Sequence, residues 1–128
     1  MANNEKLLLI VDDDEKVVKM LEFLLSAKGF VVKSAINGLE AFEMLKEKKP
    51  DVILLDILMP EMDGFEFMRK IKADHLMKEV PVIVLTAVGY DGSKSQLLSL
   101  GASDYFEKPF KSGELVNSVV KAIEEKQA

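Results

Sequence analysis

Short apolar runs alternate along this chain with stretches that have helical periodicity. Residues 7–11, 52–55 and 80–85 are almost entirely apolar, which is typical of parallel strands buried on both faces. Residues 30–34 and 104–107 are more polar, and the second of these runs predicts an edge strand. Because a helical stretch follows each strand, the pattern predicts an α/β fold in which helices cover both faces of a five-stranded parallel sheet.

The helical stretches show an apolar face and, in places, their ends. In residues 15–28, the side chains of Val17, Leu21 and Leu25 recur at helical spacing, and Asp14 stands where an N-cap is expected. Four further helices are predicted. The second helix carries the apolar residues Phe42 and Leu45, and the third carries Phe65, Met68 and Ile71. The fourth helix is predicted over residues 96–100 and the fifth over residues 112–126.

The composition excludes several kinds of site. With no cysteine and one histidine, His75, the chain offers no disulfides, thiolate zinc sites or histidine-rich metal sites. Its 22 acidic against 17 basic side chains argue against direct binding of nucleic acid. No run reaches the roughly 18 apolar residues of a membrane span, and no signal pattern opens the chain, so we expect a cytoplasmic protein without membrane contact. A length of 128 residues predicts a single domain, residues 1–128.

Polar residues stand directly after four of the predicted strands. They are Asp12 and Asp13 after the first strand, Asp56 after the third, Thr86 after the fourth and Lys108 after the fifth. Because the carboxyl ends of parallel strands meet at one edge of an open sheet, these side chains are predicted to line one ligand-binding edge. A strand order of 2-1-3-4-5 would make strands 1 and 3 neighbours and bring Asp12, Asp13 and Asp56 together.

Three carboxylates at one point attract a divalent cation, because their mutual repulsion is costly without one. Oxygen ligands with no imidazole or thiol beside them suit Mg²⁺. The same ion, together with Lys108 and the Thr86 hydroxyl, would neutralise and hold an incoming phosphoryl group. With its charge masked in this way, Asp56 can act as an oxygen nucleophile and become an aspartyl phosphate.

Five segments carry these residues in a recognisable order. They are residues 10–13 (IVDD), 51–60 (DVILLDILMP), 62–64 (MDG), 81–87 (PVIVLTA) and 101–110 (GASDYFEKPF). Together they resemble the receiver domain of two-component response regulators, and the resemblance covers essentially the whole chain. It implies a flavodoxin-like, doubly wound sheet with the strand order 2-1-3-4-5.

The resemblance also implies a metal site and a phosphorylation site. Asp56 would be the phosphoacceptor. Asp13 and Asp56 would bind Mg²⁺ directly, the Leu58 backbone carbonyl would be a third ligand, and Asp12 would bind through a water molecule.

The remaining roles implied by the resemblance concern the phosphoryl group and the switch. Thr86 and Lys108 would hold the phosphoryl oxygens, and the Lys108–Pro109 peptide bond would be cis. Tyr105 would be an aromatic switch residue that moves inward with Thr86. The surface that changes would comprise the fourth helix, the fifth strand and the fifth helix.

The partners implied by the resemblance are proteins. A histidine kinase or a phosphotransfer protein would supply the phosphoryl group, and a target protein or an output domain would read the result. The chain would be a monomer or a phosphorylation-dependent dimer, and either a stand-alone receiver or part of a longer regulator. Its own activity would be limited to autophosphorylation from small donors and to autodephosphorylation, so it is not expected to be an enzyme in the usual sense.

Other functions fit the sequence less well. An aspartyl-nucleophile phosphatase usually carries a general acid two positions after the nucleophile, and that position is Leu58. A flavin or dinucleotide site is disfavoured because the loop after the first strand is acidic and lacks Gly-x-Gly-x-x-Gly. Two structural alternatives are left open. In the first alternative, residues 12–14 only cap the first helix. In the second, Tyr105 is an ordinary half-buried aromatic residue of an edge strand.

Overall fold

Strands and helices alternate without exception in the part of the chain that the structure, a computed structural model, describes: residues 6–57, 64–87 and 94–127. The strands are β1 (Leu7–Val11), β2 (Val31–Ala35), β3 (Val52–Asp56), β4 (Val82–Ala87) and β5 (Asp104–Lys108). The helices are α1 (Glu15–Ser26), α2 (Gly38–Glu47), α3 (Gly64–Ala73), α4 (Lys94–Ser99) and α5 (Ser112–Gln127).

The strands form one parallel sheet in the order β2-β1-β3-β4-β5. This order confirms the predicted α/β, flavodoxin-like architecture. It places β5 at an edge, as its more polar sequence predicts. In the register of the central pair, Val11 of β1 lies opposite Leu55 of β3, so the residues that follow both strands emerge side by side.

Two apolar cores form because side chains alternate across a strand. One core joins Leu9 and Val11 of β1 to α2, α3 and α4. The other joins Leu8 and Ile10 of the same strand to α1 and α5. Because helices cover both faces of β1 and β3, the sequence of each strand is an almost continuous apolar run. Polar residues are therefore found where these two strands end.

The end of α1 differs from the prediction because a C-terminal cap at Gly29 and Phe30 ends the helix earlier. The predicted helix runs to residue 28, whereas α1 ends at Ser26. Gly29 has a φ of 96°, a left-handed conformation that favours glycine, and the amide of Phe30 donates to the Leu25 carbonyl at 3.2 Å. Phe30 therefore belongs to the helix cap, and β2 begins at Val31.

In the described ranges, no helix combines the length and the apolar character that a bilayer crossing requires.

The start of α3 is fixed against the end of β3 by a close backbone approach. The amide of Gly64 donates to the Ile57 carbonyl at 2.9 Å, and a Cβ at position 64 would lie 2.5 Å from the Ile57 Cα. We therefore expect Gly64→Ala to lower the free energy of unfolding by about 1–3 kcal/mol, because the clash involves backbone atoms that cannot rotate away. Urea unfolding followed by circular dichroism measures this change.

The matched control is Gly113→Ala in α5, where an added Cβ would meet nothing within 4 Å. Alanine has the higher helix propensity, so this change is expected to leave stability unaltered or raise it by up to about 1 kcal/mol. Equal losses in both variants would contradict the close approach at Gly64.

Candidate functional site

Three carboxylates meet where β1 and β3 end. Asp12 and Asp13 follow β1, and Asp56 is the last residue of β3, which pairs with β1. One carboxylate oxygen from each residue lies within 4.8 Å of the other two. The strand register thus brings together the acidic residues that the sequence analysis singled out.

The three carboxylates differ in burial and in hydrogen bonding. Asp12 is 1% exposed and Asp56 is 5% exposed, whereas Asp13 is open to solvent. One Asp12 oxygen accepts a hydrogen bond from the amide of Asp14 at 2.9 Å. Asp14 in turn caps α1 by accepting from the amides of Lys16 and Val17. Because Asp14 serves as the cap, helix capping does not explain why Asp12 and Asp13 are acidic.

Lys108, the last residue of β5, extends across the sheet edge to the buried carboxylates. Its Nζ lies 2.8 Å from Asp12 Oδ2 and 3.4 Å from Asp56 Oδ2. Burial by itself would lower the pKa of Lys108, but the hydrogen bond and charge of Asp12, with a smaller contribution from Asp56, outweigh it and raise the pKa above its usual value. Lys108 is therefore a stable ammonium. The peptide bond to Pro109 is cis.

Thr86 lies near the end of β4, beside the strand that carries Asp56. It is fully buried, and its Oγ1 is the buried side-chain polar atom that has no hydrogen-bond partner among the described residues. A buried hydroxyl without a partner costs about 1–3 kcal/mol of stability. The Thr86 hydroxyl is therefore available to form a hydrogen bond with a group that binds at this edge of the sheet.

Replacing Thr86 by valine is expected to raise the free energy of unfolding by about 1 kcal/mol, because the change removes an unsatisfied hydroxyl and keeps a similar shape. Chemical denaturation measures the effect. As a contrast, Ser118→Ala removes a hydroxyl that donates to Asp104 Oδ2 at 2.6 Å and should lower stability. A destabilised Thr86→Val variant would show that the Thr86 hydroxyl is already bonded in solution.

Tyr105 lies away from the carboxylates, in β5 opposite Val84 of β4. Its ring is half-buried, and the ammonium of Lys94 in α4 lies 5.9 Å from the ring centroid. This is within the range of a cation–π interaction. The ring is therefore in contact with the short helix that precedes its strand.

The donor set at this edge suits a hard divalent cation. Its ligand atoms are carboxylate oxygens, and within residues 6–57, 64–87 and 94–127 three carboxylates face one ammonium, so acidic groups are in excess there. Mg²⁺ prefers such oxygen ligands and keeps part of its water shell. Leu58, whose carbonyl the sequence analysis assigned as a further ligand, lies outside the described residues.

The Asp12–Lys108 pair is the contact that the sequence analysis did not anticipate. Lys108 was expected at the same edge as the carboxylates, where it would hold a phosphoryl group, but a direct pair with Asp12, 96 residues earlier, was not predicted. The available signal was Asp12 alone, a carboxylate directly after a strand predicted to be buried on both faces, since a buried carboxylate requires a partner.

Comparison with known proteins places this chain in a family. The model of the response regulator receiver domain matches residues 8–120. The phosphate regulon regulatory protein PhoB of Pseudomonas aeruginosa is 40% identical over 111 residues, which are 87% of this chain and 48% of PhoB. The alkaline phosphatase synthesis regulatory protein PhoP of Bacillus subtilis is 41% identical over 118 residues, which are 92% of this chain and 48% of PhoP. The chain thus spans about half the length of these relatives.

Solved structures of receiver domains share the fold. The signal receiver domain of a histidine kinase from Syntrophus aciditrophicus superposes with a TM-score of 0.86 at 32% identity, covering 94% of this chain and 91% of that one. A response regulator receiver domain protein from Clostridium thermocellum gives a TM-score of 0.87 at 27% identity, covering 95% and 97%. With the family model matching most of its length, this chain belongs to the receiver domain family of two-component response regulators.

Proposed function

We propose that Asp56 accepts a phosphoryl group from a phosphohistidine of a histidine kinase or of a phosphotransfer protein. The meeting of Asp12, Asp13 and Asp56 with the Lys108 ammonium carries this proposal. Receiver domains imply a histidine kinase partner and generally bind Mg²⁺ through an acidic pocket, which agrees with such a cluster. Incubation with acetyl phosphate and Mg²⁺, followed by intact mass measurement, tests the proposal.

The chemistry follows from the positions of the charged groups. An Asp56 carboxylate oxygen attacks phosphorus, the bond from phosphorus to the donor atom breaks, and the donor leaves with the bonding electrons. Lys108 lies closer to Asp12 than to Asp56, so it can keep the first contact while its ammonium moves to a phosphoryl oxygen. The Thr86 hydroxyl, which has no partner in the part of the chain that the structure describes, supplies a hydrogen bond to another phosphoryl oxygen.

Asp13 and Asp56 are the proposed direct ligands of Mg²⁺, with the Leu58 carbonyl as a third ligand and Asp12 acting through a water molecule. When bound, the ion neutralises charge on the reacting phosphoryl oxygens. Exposed Asp13 is well placed to exchange water for a cation, whereas buried Asp12 is already held by Lys108 and by the Asp14 amide.

Phosphorylation would act as a switch through differential contacts. A phosphoryl group at Asp56 adds about two negative charges, and only contacts that are stronger in one conformation can shift the population. Thr86 and Tyr105 lie on neighbouring strands, and Tyr105 contacts Lys94 of α4. We therefore propose that α4, β5 and α5 form the surface that changes, and that Thr86 and Tyr105 move together.

The proposed function includes the domain organisation, the location and the partners of the chain. We propose that residues 1–128 form a single receiver domain in the cytoplasm, a monomer or a phosphorylation-dependent dimer. A target protein or an output domain reads its state, and the domain itself contacts neither nucleic acid nor membrane. As a receiver domain it is a signalling module and not a conventional enzyme. Its proposed activity is limited to phosphorylation from small donors and to dephosphorylation.

Mg²⁺ is expected to stabilise the folded chain, and Asp13→Asn is expected to abolish that stabilisation. At a Mg²⁺ concentration 100 times the dissociation constant, the gain is about 2.7 kcal/mol. Without the ion, Asp13→Asn should be at least as stable as the unmodified chain, because it removes one of three repelling charges. Thermal unfolding with and without MgCl₂, at matched ionic strength, measures both effects.

The control is Glu43→Gln, an acidic residue on the exposed side of α2 that pairs with Lys46. It loses the same charge and should keep the full Mg²⁺ response. A response that survives in Asp13→Asn would place the cation elsewhere.

A further inference from the structure

The two residues of the proposed switch lie on the same face of the sheet. Val82 and Val84 of β4 belong to the apolar core that Leu97 of α4 also joins, so Thr86, two positions further along β4, points to that face as well. Tyr105 packs against the same core and lies opposite Val84. Thr86 and Tyr105 are therefore diagonal neighbours across β4 and β5, and an inward movement of the ring brings it closer to Thr86.

On its other side, the ring of Tyr105 borders open space. A cavity of about 920 Å³ lies there, and its wall includes Lys94 and Ser95 of α4 together with Tyr105 and Glu107 of β5. Apolar packing therefore holds the ring from the core side alone. A contact on the cavity side is needed if the ring is to stay in this outward position.

Lys94, the first residue of α4, provides such a contact. Its ammonium lies 5.9 Å from the centroid of the Tyr105 ring, within the range of a cation–π interaction. The Lys94 side chain is exposed, and within residues 6–57, 64–87 and 94–127 the ring is its one polar or charged contact. The start of α4 and the ring of Tyr105 are thus held together by a single interaction of modest strength.

We propose that the contact between Lys94 and Tyr105 is a latch that opposes the switch, an inference that rests on the phosphorylation proposed above. When the ring turns inward toward Thr86, it leaves the ammonium and the contact is lost. The latch therefore stabilises the outward position of the ring and not the inward one. Only such a differential contact can shift the population, so loss of the latch makes the inward position easier to reach.

The latch has a measurable consequence at the carboxylates. A phosphoryl group that binds best when the ring is inward has an apparent affinity that is reduced by the fraction of chains in the outward position. A cation–π contact at an exposed position changes such a population ratio about two- to fivefold. Lys94 thus sets how readily a phosphoryl group at Asp56 moves the surface formed by α4, β5 and α5.

The test uses beryllium fluoride with Mg²⁺, because this complex binds a carboxylate oxygen and mimics a phosphoryl group without a chemical step. The dissociation constant is measured by NMR titration of the full chain. Lys94→Met keeps a stem of similar length and removes the ammonium, so it should bind the complex about two- to fivefold more tightly than the unmodified chain. Lys94→Arg keeps a cation over the ring and should bind with the unmodified affinity.

A double substitution and a matched control isolate the contact. In Tyr105→Leu the latch is already absent, so the addition of Lys94→Met should leave the affinity unchanged. Lys111→Met removes an ammonium from the wall of the same cavity, away from any contact with the ring in the described residues, and should give no gain in affinity.

Three results would count against the latch, and one of them reaches further. Equal affinity of Lys94→Met and the unmodified chain would overturn it. A gain from Lys94→Met that persists in the Tyr105→Leu background would do the same, because it would not come from the ring. If beryllium fluoride fails to bind the unmodified chain at all, the proposed phosphoacceptor is wrong, and the latch is rejected with it.

Discussion

Asp56→Asn is expected to abolish phosphorylation of the chain. The unmodified protein, incubated with acetyl phosphate or phosphoramidate and Mg²⁺, should gain the mass of one phosphoryl group, and the variant should gain none. The carboxamide lacks the anionic oxygen that attacks phosphorus, and it removes one of the three carboxylates that gather a cation. Intact-mass spectrometry measures the adduct directly, and the loss should be complete.

Two controls separate loss of the phosphoacceptor from loss of the fold. Glu43→Gln removes an exposed carboxylate on α2 and should keep the full adduct. Asp56→Asn itself should unfold at a temperature no lower than that of the unmodified chain, since the site holds an excess of acidic groups. An adduct of undiminished amount on the variant would show that another residue is the phosphoacceptor.

The central strands were predictable because burial on both faces leaves no position for a polar side chain. β1 begins and ends as predicted, and β3 extends the predicted run by Asp56 alone. β4 was placed two residues too early, because the apolar run includes Val80. The amide of Val80 donates to the Met77 carbonyl at 3.0 Å, so that residue is buried in a turn. An apolar run shows which residues are buried, but it does not show where the ladder of hydrogen bonds starts.

The order of the strands in the sheet, unlike their positions in the sequence, could not be predicted from local apolar patterns. Alternating strands and helices fix a parallel sheet, but they do not determine which strands are neighbours. The order 2-1-3-4-5 was available only through the resemblance to a family, and the position of Asp56 beside Asp13 depends on it. For the same reason, no local pattern could show that Lys108 pairs with Asp12.

Lys108→Met is expected to be the most destabilising of the single substitutions at this edge. Without the ammonium, the fully buried Asp12 carboxylate keeps, among the described residues, its hydrogen bond from the Asp14 amide and still faces Asp13 and Asp56. Breaking a buried ion pair in this way costs about 3 kcal/mol. The loss should appear in urea unfolding at neutral pH without Mg²⁺, and Mg²⁺ should reduce it by neutralising the same carboxylates.

The pH dependence and a double substitution identify the cause of that loss. Because the pKa of Lys108 is raised in the folded chain above the ordinary value of 10.5, its stabilising contribution is complete below that pH and is lost as the pH rises through the raised pKa. The stability difference between the unmodified chain and Lys108→Met should therefore stay constant from neutral pH into the mildly alkaline range and shrink only at higher pH. Adding Asp12→Asn to Lys108→Met removes the unpaired charge and should restore most of the stability. If the double variant is as unstable as Lys108→Met alone, the cost comes from the packing of the lysine stem and not from the ion pair.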